Sequence, residues 1–409
     1  MQRNLPKQHA VPHLLNLVKR QVWLVLCRSR LCGVMTSVES ISLVDLLCEV
    51  PRLWDFLRGH CLKTLLGTST LLRSIAHQHV THVGFPNGWQ SPEIHTLVSR
   101  KWLQLQVLDL QGNNITAAAA VQLSNATWPL LKRLLLETSL YLGSAYDSQV
   151  FHNFQGKWSL MQSLTVKSGK LDHAEVVALT QIDWPSLHSL TIDAVSGALP
   201  ALWKGNWPQL RHLSIGDGLN DEQDEDMQHL STCPWSSLNS LELHNCTITT
   251  EGMAHLVQAH LPQLKHLALV NVRLSQGWPD GDWAHIATLA KGNWPYLTTL
   301  EVTSSVVDAV CIDELIFSDW PHLQALSFQG CFSDRADKLI ARAPWATLTC
   351  LKLCGSFDGA WVMIDECMHR WPALQSLTLG PSRSYAYLTK AIIRAARRIW
   401  PLLLVQFID

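Results

Sequence analysis

The sequence of 409 residues is 47% hydrophobic and only 16% charged, and its 32 Lys and Arg residues balance 33 Asp and Glu residues to a net charge of -1. This balance argues against a protein that a general basic surface holds to nucleic acid. We expect no membrane span, because no apolar run reaches the roughly 18 residues that one requires. The eleven scattered cysteines indicate free thiols in a reducing compartment, rather than the disulfide framework of a small secreted domain.

Residues 1–39 are predicted to be a disordered or targeting leader. Residues 1–34 contain six Lys or Arg and no acid, and the first acidic residue is Glu39. Such a composition fits a mitochondrial transit peptide, and it also fits an upstream extension with Met35, not Met1, as the true start. Because free thiols indicate a reducing compartment, we predict a cytoplasmic protein. The alternatives are a nuclear location, or a mitochondrial one if residues 1–34 are a transit peptide.

Residues 40–77 are predicted to form three short helices, because their leucines recur at helical spacing. The stretch LWDFLRGHCLKTLLGTSTLLRSI resembles an F-box, although the Leu-Pro pair of that family's first helix is missing and Pro51 lies between helices. The resemblance implies docking to a Skp1-like adaptor, with the rest of the chain holding a substrate for ubiquitin transfer. The alternative is a helical cap that shields the end of a repeat array. The adaptor-binding residues implied by an F-box are Leu53, Trp54, Leu57, Leu65, Leu66 and Leu71.

Residues 78–409 contain a repeat with a period near 26. Eleven tryptophans and one leucine, which we call anchors, recur at intervals of 23 to 33 positions. Seven of the eleven anchor tryptophans are followed by Pro. Apolar residues stand three, six and eight positions after every anchor except Trp400, as Leu105, Leu108 and Leu110 do after Trp102. The anchors are Trp102, Trp128, Trp158, Trp184, Trp207, Trp235, Leu261, Trp294, Trp320, Trp345, Trp371 and Trp400.

The segment WLQLQVLDLQGNNIT, which begins at Trp102, resembles a leucine-rich repeat. The length of the twelve units resembles the ribonuclease-inhibitor-like class, which pairs each strand with a helix. This resemblance implies an α/β leucine-rich repeat solenoid, with a curved parallel β-sheet on the concave face, helices on the convex face and a small helical N-terminal cap. The asparagine eleven positions after the anchor is present as Asn113 but is replaced in later units. We therefore expect the asparagine ladder at the turns to be mostly absent.

Strand and helix geometry predict where the repeated side chains point. Residues six and eight positions after an anchor share one face of a strand, which we expect to pack into the core. Helical spacing of apolar residues predicts helices at His173 to Ile182, Glu251 to Ala259 and Asp282 to Ala290, and Asp172 with Glu175 is typical of a capping box. We predict that Pro ends each helix and that the neighbouring Trp fills the gap between coils.

The concave face is predicted from the residues five, seven and nine positions after each anchor. Many of these residues are small, among them eleven Ser or Thr, and a polar cluster interrupts them in the middle repeats. Because neighbouring strands lie about 5 Å apart, we expect the clustered side chains to adjoin and to contact a protein partner. The predicted partner-binding residues are His212, Glu242, His244, His266 and Glu301.

The sequence contains no P-loop, dinucleotide-binding glycine fingerprint, H-E-x-x-H or G-x-S-x-G motif. We predict no catalytic residue, no metal site and no cofactor. The leading hypothesis is a non-enzymatic protein-interaction scaffold that binds a partner through the concave face. The alternative is an F-box-like substrate-recognition subunit of an SCF-type ubiquitin ligase.

Overall fold

The computed structural model describes most of the repeat region. The described residues are 80–84, 97, 102–113, 122–123, 125–137, 158–194, 197–216, 225–274, 287–307, 314–316, 318, 320–332, 340, 343–354, 370–379 and 404–407. The predicted leader and the F-box-like segment, including Leu53, Trp54, Leu57, Leu65, Leu66 and Leu71, lie outside them. The chain divides into two compact units. The first consists of Met1–Ser139 and Lys157–Met161, and the described part of the second begins at Gln162.

The first unit contains three parallel strands in direct register. These are β1 (His82–Gly84), β2 (Val107–Leu110) and β3 (Arg133–Glu137). Burial alternates along β2 and β3, where Leu108, Leu110, Leu134 and Leu136 are buried, which is the period that a strand with one face in the core requires. Trp128 and Trp158 lie beside this core as a stacked pair, with ring centroids 6.1 Å apart and planes 8° apart.

The second unit contains the longer run of parallel strands. Each strand pairs with the next along the chain, except that β7 pairs directly with β9 and the short β8 pairs only with β9. The strands are β4 (Ser163–Leu171), β5 (Ser189–Ala194), β6 (His212–Gly216), β7 (Ser240–His244), β8 (Thr247–Ile248), β9 (His266–Leu274), β10 (Thr299–Val307), β11 (Ala325–Phe332), β12 (Cys350–Cys354), β13 (Ser376–Leu379) and β14 (Leu404–Phe407).

Alternation along each strand separates a core face from the concave face. On β7, Leu241 and Leu243 are fully buried, whereas Ser240, Glu242 and His244 remain partly exposed. This confirms the prediction that the residues six and eight positions after an anchor form the core. Those at five, seven and nine positions point to the opposite face.

The described helices of the second unit lie between strands and are short. They are α1 (His173–Thr180), α2 (Leu199–Leu202), α3 (Glu225–Gln228) and α4 (Thr250–Gln258), with 3₁₀ turns at His229–Thr232 and Leu289–Lys291. The predicted helices at 173–182 and 251–259 are confirmed as α1 and α4. Only the end of the predicted helix at 282–290 is described, and it finishes in a 3₁₀ turn. The ribonuclease-inhibitor-like pairing of every strand with a helix stays a prediction.

Side chains cap the two longer helices, and the cap of α1 is the predicted one. Asp172 Oδ1 accepts a hydrogen bond from the Glu175 backbone N–H at 2.8 Å, and Glu175 Oε2 accepts one from the Asp172 N–H at 3.3 Å. This confirms the capping box. Thr249 caps α4 in the same way, because its hydroxyl accepts from the Gly252 N–H at 3.0 Å. Both caps satisfy backbone donors that the first turn of a helix leaves free.

The anchor tryptophans lie in the core between neighbouring coils, as predicted. Each one that the structure describes is at most 5% exposed. Among the described rings, Trp207 stacks on Trp235 and Trp294 stacks on Trp320, with centroids 6.1 and 6.5 Å apart. The Trp235 indole N–H also donates to the Gly205 carbonyl of the preceding coil at 2.9 Å. The aromatic rings therefore join coils through stacking, burial and hydrogen bonds.

Asparagines of two successive coils form a short ladder, ten and not eleven positions after their anchors. Asn245 and Asn271 each lie ten positions after their anchors, and both have left-handed backbones, with φ of 52° and 55°. The Asn271 side-chain amide donates to Asn245 Oδ1 at 2.9 Å. Asn tolerates this backbone region better than other non-glycine residues, which explains its use at both positions.

Candidate functional site on the concave face

Four neighbouring strands of the second unit bring the predicted polar residues to one face. His212 lies on β6, Glu242 and His244 on β7, His266 on β9 and Glu301 on β10. Direct register pairs His212 with Ser240 and Ser240 with His266, and it pairs Glu242 with Ala268. The strands therefore place one carboxylate among three imidazole rings.

Glu242 is the centre of this cluster. Its Oε2 lies 3.3 Å from His244 Nε2, which is a hydrogen bond. Its Oε1 lies 3.6 Å from His266 Nε2 and 3.9 Å from His212 Nδ1. The Glu242 side chain is 25% exposed and the three imidazoles are 31 to 35% exposed. The structure therefore brings together four of the five predicted residues, in a cluster that solvent and a partner can reach.

Glu301 lies on the same face but apart from these imidazoles. It pairs with Ala268, which in turn pairs with Glu242, so one short side chain separates the two glutamates across the sheet. Ala268 is 3% exposed. Two inter-strand steps correspond to about 9.6 Å between the glutamate backbones.

Asp193 was not among the predicted residues, although it stands nine positions after its anchor, as His244 does. Asp193 pairs with Gly216, and Gly216 pairs with His244. A Cβ atom on Gly216 would collide with Asp193 Oδ1, so the missing side chain of Gly216 leaves the space that this carboxylate fills. The spacing rule that found His244 would have found Asp193, but the tilt of its carboxylate over a glycine depends on the neighbouring strand.

The chemistry of the cluster is that of hydrogen bonding and ion pairing. Among the residues described by the structure, no three His, Cys, Asp or Glu side chains are grouped so as to hold a metal ion. Burial raises the pKa of Cys246 to about 12, and desolvation also raises the pKa of Cys233. These two thiols therefore lack the lowered pKa of an activated cysteine nucleophile. No helix within the described ranges is long and apolar enough to cross a membrane.

Comparison with known proteins shows likeness in fold and not in sequence. No protein-family model matches the chain, and no curated protein matches it either. A yeast structure, that of the Rad7 and Elc1 complex, is similar at a TM-score of 0.51 and 15% identity, covering 93% of this chain and 94% of that one.

Two bacterial structures are also similar at lower TM-scores. The leucine-rich repeat protein LIC12759 of Leptospira interrogans has a TM-score of 0.44 and 15% identity, over 83% of this chain and 86% of that one. An internalin of Listeria monocytogenes has a TM-score of 0.44 and 12% identity, over 91% of this chain and 95% of that one. The parallel strands, the buried leucine ladder and the buried anchors give this chain the α/β leucine-rich repeat solenoid fold.

Proposed function

We propose that this chain is a non-enzymatic protein-interaction scaffold that binds its partner on the concave face of the second unit. The observation that carries the proposal is the cluster of Glu242 with His212, His244 and His266, on a face that otherwise carries many small residues. Glu301 extends the same surface by two strands. The solenoid provides a broad and continuous sheet surface, which suits contact with another protein better than the enclosure of a small ligand.

The cluster leaves hydrogen-bonding capacity for a partner. A carboxylate oxygen accepts two hydrogen bonds, and the two contacts of Glu242 Oε1, at 3.6 and 3.9 Å, are too long to count as hydrogen bonds. A donor from a bound protein would therefore find an acceptor there without displacing the bond to His244. The yeast structure that resembles this chain in fold is that of a complex of two proteins, Rad7 and Elc1, which supports the use of such a scaffold for partner binding.

The direct test is a double substitution, Glu242→Ala with His244→Ala, in the full chain. The partner is first isolated by affinity capture with the full wild-type chain. We expect the double substitution to lower the affinity for this captured partner about tenfold or more, because charged hydrogen bonds at an interface each contribute about 1.5–3 kcal/mol. Gln258→Ala is the matched control, because Gln258 is exposed on α4, away from the concave face. Circular dichroism establishes that the variants stay folded. Equal affinity for wild type and the double variant would move the binding surface elsewhere.

The second candidate is an F-box-like subunit of an SCF-type ubiquitin ligase, supported by the helical leucine pattern of residues 40–77. In that case Leu53, Trp54, Leu57, Leu65, Leu66 and Leu71 would bind a Skp1-like adaptor, and the concave face would hold the substrate. Affinity capture with the full chain and with a chain lacking residues 40–77 separates the two candidates. Loss of a Skp1-like protein on deletion supports the ligase, whereas its absence from both samples removes that candidate.

A further inference from the structure

Five residues in direct register across the concave face form what we call the charge row: Glu242, Ala268, Glu301, Ser327 and Lys352. Each lies directly opposite the next on the neighbouring strand, from β7 to β12. The charges in this row alternate with short residues in the order negative, negative, positive. Because parallel strands are about 4.8 Å apart, the backbones of successive charged residues lie about 9.6 Å apart, and those of the outer two about 19 Å apart.

The charged groups of this row are available to a bound partner. Glu242 is 25% exposed, and Glu301 and Lys352 are half-buried. Within the described residues, neither Glu301 nor Lys352 takes part in an ion pair or side-chain hydrogen bond. Ala268 is 3% exposed and the Ser327 hydroxyl oxygen is buried, so a bound segment meets this row through the side chains of Glu242, Glu301 and Lys352.

The spacing of the charges distinguishes between kinds of partner segment. A polyproline II helix rises about 3.1 Å per residue, so every third residue returns to the same side after about 9.3 Å. A β-strand presents side chains to one side every 6.6 Å or so, which misses a 9.6 Å step. An α-helix returns a side chain to the same side after seven residues, a rise of about 10.5 Å. Two such repeats span about 21 Å, which is nearly 2 Å longer than the row of about 19 Å.

We propose that an extended partner segment in the polyproline II conformation binds along the charge row. This proposal rests on the proposed function of the same face. It carries basic residues three apart, facing Glu242 and Glu301, and an acidic residue three further on, facing Lys352. Opposite charges meet at all three positions in this register. A shift by one charge position brings like charges together, which costs free energy and sets the position of the segment.

The experiment measures binding of fluorescein-labelled proline-rich peptides to the full chain by fluorescence anisotropy. The matching peptide has Arg at its third and sixth positions and Glu at its ninth, and a second peptide has the same residues in reverse order. One control has all three charges inverted. A second has the same composition with the two Arg residues only two positions apart, and a third is an Ala-rich helix with the charges seven apart.

We expect one of the two matching peptides to bind at least about tenfold more tightly than every control. Glu301→Lys should reverse this preference in favour of the peptide whose middle Arg is replaced by Glu. Glu251→Lys is the matched control variant, because it makes the same charge change on α4, where the Glu251 side chain is 72% exposed. That variant should keep the wild-type preference.

Tighter binding of the helical peptide, or equal binding of the matching and inverted peptides, would overturn the inference. Failure of all peptides, combined with loss of the captured partner in the Glu242→Ala, His244→Ala variant, would overturn the polyproline II segment and leave the scaffold function standing. Retention of the captured partner by that variant would count against the proposed function itself.

Discussion

The glycines that precede two anchor tryptophans allow a direct test of the packing between coils. Gly205 and Gly292 stand in the repeated segment Lys-Gly-Asn-Trp-Pro, two positions before Trp207 and Trp294. A Cβ atom on Gly205 would lie 2.5 Å from Trp207 Cζ3, and one on Gly292 would lie 2.6 Å from Trp294 Cζ3. Optimal carbon–carbon separations are about 3.5–4.0 Å, so each ring would have to move by about 1 Å.

The rings have little room for such a movement. Trp207 is 0% exposed and Trp294 is 1% exposed, and each stacks on the anchor of the next coil. Overpacking of a core costs about 1–3 kcal/mol. Replacing Gly by Ala also restricts the unfolded chain, which stabilises the protein by about 0.4–1 kcal/mol. We therefore expect Gly205→Ala and Gly292→Ala each to lower the free energy of unfolding by about 1–2 kcal/mol.

The assay is urea unfolding followed by tryptophan fluorescence, with hydrogen exchange of the peptides that contain the substituted coil. Gly84→Ala is the matched control, because a Cβ atom there meets its nearest neighbour, Asp109 Cβ, at 3.7 Å, an ordinary contact. The control should be neutral or slightly stabilising. Equal stability of Gly205→Ala and Gly84→Ala would refute the tight contact between glycine and indole.

Three further measurements test other parts of the structure. Asp172→Ala removes the cap of α1 and should cost about 1 kcal/mol of unfolding free energy in the same urea assay; no change would contradict the capping box. Cys246 should resist iodoacetamide at pH 8 in the folded chain and react fully in urea, because burial raises its pKa to about 12. Mass spectrometry maps the labelled cysteines, and rapid labelling of Cys246 in the folded chain would contradict its burial. Because the folded pKa of Cys246 exceeds that of the unfolded thiol, its contribution to stability is complete below about pH 8.5 and is lost as pH rises towards 12. Raising the pH should therefore lower the free energy of unfolding of wild type more than that of Cys246→Ala. Equal losses in the two proteins would refute the raised pKa of Cys246.

Much of the fold could be predicted because the core residues recur at a fixed spacing. Leu241 and Leu243 are two apart after Trp235, and this pattern returns in coil after coil, so the strand period and the buried face follow from the sequence. The same rule predicted that His244 and Glu242 would share the concave face. Only the register between strands determines that His212 and His266 approach Glu242 from its two sides, while Glu301 is separated from it by Ala268.

Other features escaped prediction because they depend on neighbouring coils or on the backbone. Asn245 and Asn271 were passed over because the ladder was sought eleven positions after the anchor, whereas the left-handed residues lie at the tenth. Their shared slot in successive coils was the available signal. The close contact between Gly205 and Trp207 was visible only as a repeated five-residue segment, since ring orientation depends on the Trp235 stack.

The most direct test of the scaffold places a photo-crosslinking residue on each side of the second unit. One variant carries benzoylphenylalanine in place of Ala325, which is half-buried on the concave face of β11 beside the charge row. The other carries it in place of Gln258, which is exposed on α4. Binding on the concave face predicts covalent capture of the partner from position 325 and not from position 258. Capture from position 258 alone would contradict the account.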